Sequence, residues 1–249
     1  MKKTVVVIKF NIYIYIYMLN LKTIIFLFLF LLFLLFLLLN FQNSKKKYEN
    51  IKICDEIDEG DNINIIRIPN FITNKECKKL IKMAKPNMSR SNVVGKNKIE
   101  LSLSRTSTNV FLDKDNKLVN KINDKLQNIV KIPKENYESP QIVRYKPKQF
   151  YKEHYDICLP FDSSSCKKDF RRGGYRIKTA IIYLTDTFEG GHTSFPLLKK
   201  KFKLSAGEII IFDNIYNINK YKLSLHQGNP VKKGTKWILT IWIREKIFI

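Results

Sequence analysis

The stretch Tyr151-Lys152-Glu153-His154-Tyr155-Asp156 decides how this chain reads. Alternate side chains of an extended strand share a face, so His154 and Asp156 point the same way. An imidazole and a carboxylate placed so, joined by one distant histidine, form a facial triad that suits Fe(II) and leaves adjacent coordination positions open. Taken alone the spacing is common, and its ordinary meaning is a surface pair. The chain has only three histidines, so the third ligand is His192 or His226. His192 follows Gly190-Gly191 and reads as a solvent-exposed turn residue. In a jelly roll the ligand strands are separated by several others, which favours the more distant His226. Downstream of His226, Lys236 opens an alternating run in which Lys236, Ile238, Thr240 and Trp242 share a face. An inward lysine needs an anionic partner to offset its desolvation. The distal carboxylate of 2-oxoglutarate, a 2-oxo acid able to chelate the iron, is the natural one.

Working outward, the residues after Pro140 form short alternating runs: Ile142–Tyr145, Thr179–Leu184, Glu208–Phe212 and Trp237–Ile243. Before Pro140 the period is helical. Thr73-Asn74-Lys75-Glu76 is a capping box. The helix behind it sets Cys77, Leu80, Ile81 and Ala84 on one face and stops before Pro86. A second helix carries Leu118, Val119, Ile122, Leu126, Ile129 and Val130 and stops at Pro133. Ile63–Ile68 reads as a strand ended by Pro69. Helices followed by a series of strands imply an α+β fold with a double-stranded β-helix (jelly-roll) core and the N-terminal helices packed outside.

The first part of the chain differs in kind. Residues 1–22 are a low-complexity tail with the run Tyr13-Ile14-Tyr15-Ile16-Tyr17. From Thr23 to Leu39 follow Ile, Phe and Leu without a charge, and Phe41 extends the run past Asn40. That is the lower end of a spanning length of about 20 residues. Asn40-Phe41-Gln42-Asn43 lacks the small-residue pattern of a cleavage site. The expectation is one transmembrane helix, a signal anchor over 23–41, then a polar linker over 42–60 and a single domain over 61–249. An early anchor ordinarily places the following domain in the lumen, so the expected location is the endoplasmic reticulum or Golgi membrane, single-pass with a lumenal catalytic domain. Lys45, Lys46 and Lys47 balance the lysines before the anchor, so charge does not set the orientation.

Lys plus Arg number 45 against 22 acids, a net charge of +23. Nucleic acid, an acidic membrane surface or an acidic substrate would each suit that excess. No basic run carries the interleaved aromatics of a nucleic-acid platform, so no nucleic-acid partner is expected. The four cysteines Cys54, Cys77, Cys158 and Cys166 show no CxxC pair. Cys158 and Cys166 lie close enough to bridge in an oxidising compartment, whereas Cys77, on an apolar helix face, reads as a small buried hydrophobe.

Motifs follow one another in a telling order. Glu76-Cys77-Lys78-Lys79-Leu80-Ile81 precedes Ala84-Lys85-Pro86, Ser104-Arg105-Thr106-Ser107 and Phe111-Leu112. Gln141-Ile142-Val143-Arg144-Tyr145 leads to the His154 segment, and Arg176-Ile177-Lys178-Thr179 to Tyr183-Leu184. Then come Glu189-Gly190-Gly191-His192-Thr193-Ser194-Phe195-Pro196, Ser224-Leu225-His226-Gln227-Gly228-Asn229-Pro230-Val231 and Gly234-Thr235-Lys236-Trp237. In this combination the chain from Ile63 to Glu245 resembles the catalytic domain of prolyl 4-hydroxylases, closest to the plant and algal types and similar to the collagen-modifying α-subunits.

The resemblance implies His154, Asp156 and His226 as iron ligands. Lys236 would pair with the C5 carboxylate of 2-oxoglutarate, Tyr145 would hydrogen-bond to the same cosubstrate, and Thr179 would lie beside it. It further implies Tyr151, Arg176 and Trp242 along the peptide groove, with Arg105 and Ser107 on a substrate-covering loop. The implied enzyme couples decarboxylation of 2-oxoglutarate by O2 at a non-haem Fe(II) to hydroxylation of proline in a protein substrate, with L-ascorbate as protective reductant. Lys148 replaces the family's glycine before the His154 strand, and Asn229 replaces a cysteine after the distal histidine. Such departures, with the polar loop Asp162–Lys168, bear on peptide choice rather than on the metal. Alternatives are another peptidyl hydroxylase, such as a lysyl one, or an inactive module that binds proline-rich peptide. A zinc hydrolase lacks its HExxH, and a nucleic-acid demethylase lacks base-stacking aromatics on a basic lid.

Overall fold

The computed structural model describes residues 23, 25–38, 63–91, 93–94, 99–100, 103–214 and 221–249. The chain divides into two units, Met1–Ile51 and Lys52–Ile249. In the first, residues 25–38 form a helix, α1, whose apolar side chains are exposed. At about 1.5 Å per residue such a helix rises about 20 Å, against about 30 Å of bilayer hydrocarbon. No helix among the described residues is long and apolar enough to cross a membrane. The expected anchor over 23–41, and with it the single-pass placement in the endoplasmic reticulum or Golgi membrane, is corrected on that ground. The tail 1–22 and the whole linker 42–60 with its flanks lie outside the described residues.

In the second unit the strands are β1 (Ile65–Ile68), β2 (Ser89–Arg90), β3 (Val93–Val94), β4 (Ile99–Glu100), β5 (Thr108–Phe111), β6 (Gln141–Tyr145) and β7 (Tyr151–His154). They continue with β8 (Arg176–Tyr183), β9 (Phe188–Gly190), β10 (Thr193–Phe195), β11 (Lys200–Phe202), β12 (Ile209–Asp213), β13 (His226–Gly228), β14 (Val231–Gly234) and β15 (Lys236–Arg244). Helices α2 (Asn74–Ala84), α3 (Lys117–Val130) and α4 (Ser164–Phe170) intervene. Seven strands make one antiparallel sheet in the order β1-β12-β8-β15-β6-β5-β2, and four make another, β11-β10-β13-β7. This mixture of helices with a large antiparallel sheet is consistent with a jelly-roll core.

Both sheets feed one apolar cluster. Val143, Ile181, Tyr183, Ile210, Phe212 and Ile238 enter it from the seven-stranded sheet and Phe195 from the four-stranded one. β15 is buried along its whole length, as a central strand covered on both faces must be. Its register sets Lys236 opposite Tyr145, Ile238 opposite Val143 and Tyr183, and Trp242 opposite Thr179. Directly opposed residues share a face, so the predicted inward set does line one surface, and at about 3.3 Å per residue it stretches roughly 20 Å.

The predicted helix signals hold. The Thr73 hydroxyl accepts from the Glu76 amide at 3.2 Å while the Thr73 amide donates to the Glu76 carboxylate at 2.8 Å. α3 ends where Lys131 turns left-handed at φ 58. Lys148 also sits at φ 69, a conformation that costs a side-chain-bearing residue about 1–2 kcal/mol and suits glycine better. Cys158 and Cys166 form a disulfide; Cys77 is free and buried, and burial raises its thiol to about 11.

A charge network ties the far edge together. Glu138 accepts from Arg176 Nε at 2.5 Å and Nη2 at 2.8 Å, and from Arg244 Nε at 2.7 Å. Arg244, wholly buried, also donates to Asp169 at 2.8 Å. Removing one member strands a buried charge. Glu138→Gln is therefore expected to lower unfolding stability by about 3–5 kcal/mol in denaturant titration; an unchanged midpoint would contradict the network's role.

Candidate metal centre

β13 pairs with β7 so that His226 stands directly opposite His154. Two side chains so placed share a face, and Asp156 follows where β7 ends. His154 Nε2 lies 3.8 Å and His226 Nε2 3.6 Å from the Asp156 carboxylate oxygens. One donor atom from each of the three residues falls within 4.8 Å of the others.

The protonation pattern follows from the backbone. His154 Nδ1 sits 2.8 Å from the Lys152 carbonyl and His226 Nδ1 2.9 Å from that of Ser224. A carbonyl only accepts, so both Nδ1 atoms carry a proton and both Nε2 atoms face the carboxylate. Burial, with His226 adding to it, drives His154 down to about 3. Burial alone would raise Asp156, but the neighbouring His226, His154, Arg176 and the Thr179 hydroxyl hold it at about 2. Two imidazole Nε2 atoms and a carboxylate thus converge, an arrangement that a divalent cation satisfies. Tyr151 stacks on His154 with centroids 3.5 Å apart, and Phe212 meets His226 edge-on at 4.8 Å.

Lys236 lies farther in, 2 % exposed. Its ammonium donates to the Gly191 carbonyl at 2.7 Å, the Tyr183 hydroxyl at 3.0 Å and Thr193 Oγ1 at 3.4 Å. Gly191 presents that carbonyl from φ +61, where an added Cβ would meet the Phe188 ring at 2.9 Å. No carboxylate pairs with Lys236 among the described residues, so the chamber holds a desolvated cation ready for an anion. Lys236, Tyr145, Thr193, His154, Asp156, His226 and Trp242 line one pocket.

The remaining sequence-selected residues fall into place unevenly. Tyr151, Arg105 and Trp242 line that same pocket, Arg105 lying over the Tyr151 ring at 4.8 Å. Arg176 stacks over Trp242 at 4.2 Å and donates to the Asp156 carbonyl at 3.2 Å. The Trp242 indole N–H is buried without a partner. Ser107 is turned inward, wholly buried between Ser91 and Arg105. Thr179 directs its hydroxyl at Asp156 Oδ2, 2.6 Å away; the threonine at Lys236 is Thr193. His192 is half-buried and carries no triad contact. Thr193 and Tyr183 went unselected in the sequence, although Thr193 stands in the quoted Gly-Gly-His-Thr run and Tyr183 on the inward phase of its strand.

A family model described as the 2OG-Fe(II) oxygenase superfamily matches residues 140–244. A protein of Acanthamoeba polyphaga mimivirus, named for the prolyl 4-hydroxylases, is 36% identical over 181 residues, spanning 72% of this chain and 73% of its own. Prolyl 4-hydroxylase 1 of Arabidopsis thaliana is 32% identical over 201 residues, spanning 73% of this chain and 69% of that protein. Among solved structures, the viral collagen prolyl hydroxylase of Paramecium Bursaria Chlorella virus-1, in its 2OG complex, is similar with a TM-score of 0.56 and 31% identity. That match covers 72% of this chain and 94% of the other.

Burial lowers the Lys236 ammonium from an ordinary 10.5 to about 8. Between those values the unfolded chain binds more protons than the folded one, so stability rises with pH; below about 8 the full penalty is present. Ligand-free Lys236→Met protein is expected to melt above the parent near neutral pH, with the gap narrowing as pH climbs toward about 10. Calorimetry showing a constant or widening gap would contradict an unpaired buried ammonium.

Proposed function

This chain belongs to the prolyl 4-hydroxylase family of 2OG-Fe(II) oxygenases, and from that premise we propose that it is a peptidyl-proline 4-hydroxylase built on a double-stranded β-helix. The catalytic domain takes in residues 61–249. The observation that carries the reading is the pairing of a convergent His154–Asp156–His226 set with a buried, anion-free Lys236 in one pocket.

His154, Asp156 and His226 would hold Fe(II). Lys236 would seat the distal carboxylate of 2-oxoglutarate, with Tyr145 and Thr193 beside it. Bound there, the ion together with 2-oxoglutarate and O2 supplies the oxidising power that turns a proline C4–H into C–OH while 2-oxoglutarate becomes succinate and CO2. The protein contributes placement. The Nδ1–H bonds to the Lys152 and Ser224 carbonyls fix both rings with Nε2 inward, as a hydrogen bond to the far ring nitrogen does for a metal-bound histidine. Tyr151 packs on the His154 ring, and Phe195 and Phe212 pack on that of His226. At the other end Arg176, Trp242 and Arg105 would receive the peptide. The substrate is a proline-containing protein or peptide, and L-ascorbate is the accompanying reductant.

With Fe(II), 2-oxoglutarate and O2, a proline-rich peptide is expected to gain one oxygen on proline with matching succinate release. His154→Ala and His226→Ala are expected to abolish both, while His192→Ala keeps them; a dead His192→Ala would overturn the ligand assignment. Lys236→Ala is expected to raise the 2-oxoglutarate requirement on the order of 100-fold, and an unchanged requirement would contradict its role.

A further inference from the structure

Asp156 offers two oxygens, Oδ1 at 3.8 Å from His154 Nε2 and Oδ2 at 3.6 Å from His226 Nε2, and a facial site needs only one of them. Oδ2 already accepts a hydrogen bond. Thr179 Oγ1 donates to Asp156 Oδ2 at 2.6 Å, and Asn214 Nδ2 donates to Thr179 Oγ1 at 2.8 Å. All three groups are buried, Thr179 and Asn214 completely. Register explains the chain: β12 pairs with β8 so that Phe212 faces Thr179, and Asn214, two residues on, returns to the same side.

The direction of these bonds is forced. A hydroxyl has one proton and an ionised carboxylate can only accept. The Thr179 proton must therefore go to Asp156, and its lone pair must be filled by a donor. The amide nitrogen of Asn214 does that; turning the amide over would set two acceptors against the hydroxyl. Among the described residues the arrangement leaves Asn214 Oδ1 buried with no partner, a cost that the relay accounts for.

We propose that Thr179 and Asn214 are positioning residues that clamp Asp156 Oδ2 through a one-way hydrogen-bond chain, so that the carboxylate meets the metal through a single oxygen. This rests on the reading that His154, Asp156 and His226 bind a divalent ion. Without the clamp the carboxylate is free to rotate or to chelate through both oxygens, which occupies a position that the cosubstrate or O2 needs. Outer partners of this kind typically change metal affinity 10–100-fold.

The test is calorimetric titration of metal-free, full-length protein with Co(II) alone, alongside thermal unfolding of each variant. Thr179→Val keeps the shape and loses the hydroxyl; its affinity is expected to fall about 10–100-fold. Thr179→Ser keeps the hydroxyl and is expected to bind within a few-fold of the parent. Asn214→Leu removes both the donor and the orphan oxygen. It is expected to bind metal less tightly while melting no lower than the parent, a divergence that a merely structural residue would not show. Parental affinity in Thr179→Val, or a Thr179→Ser variant as weak as Thr179→Val, overturns the clamp. Asn214→Leu that loses stability and affinity together also overturns it. A parent protein that takes up no Co(II) overturns the triad reading itself, and the clamp with it, and so is told apart from failure of the clamp alone.

Discussion

Three side chains facing one another in one pocket are held by the pairing of two short strands. His226 opposite His154 in β13 and β7 fixes the distance between the imidazoles, and backbone carbonyls two residues before each ring hold its Nδ1. One donor atom from each of the three residues lies within 4.8 Å of the others, and a divalent cation can take all three at once. The site is thus preorganised in the sense that matters for metal choice: hard and borderline donors, a fixed face, and room beyond it.

The fold treats its two deeply buried cations in opposite ways. Arg244 is fully enclosed, and its guanidinium donates to the Glu138 and Asp169 carboxylates and to the Asp169 and Gly174 carbonyls. Lys236 is enclosed as deeply and has only neutral oxygens. The first arrangement fastens α4 and the Glu138 segment to the end of the central strand β15. The second leaves an unmet electrostatic demand inside the pocket, a local loss of stability of the kind found where a protein is shaped for a ligand. Arg176 bridges the two regions, anchored by Glu138 and laid over Trp242 near Asp156.

Periodicity alone revealed a good part of this. The two-residue spacing of His154 and Asp156, the inward phase of Lys236 through Trp242, the capping box at Thr73 and the proline stops all depend on local geometry, which a sequence displays directly. What stayed hidden depends on which strands meet. Tyr183 and Thr193 reach Lys236 from separate strands; Thr179 donates to Asp156 and accepts from Asn214, which lies just past the neighbouring strand β12. Ser107 reads as a polar loop residue and is buried because Ser91 and Arg105 absorb its bonds. Glu138, Asp169 and Arg244 resemble surface charges until the chain brings them together. The apolar run after Thr23 shows the converse limit, since composition gives helix and hydrophobicity but the described helix falls short of the bilayer.

Central to the account is one ion and one diacid sharing a pocket; a diacid that chelates the ion would tighten its binding, and linkage makes that coupling reciprocal. Anaerobic equilibrium dialysis of the full chain with Fe(II), with and without 2-oxoglutarate, measures that coupling directly. The account predicts one iron per chain and tighter iron binding when 2-oxoglutarate is present. Iron binding indifferent to 2-oxoglutarate, or no stoichiometric iron at all, would contradict it.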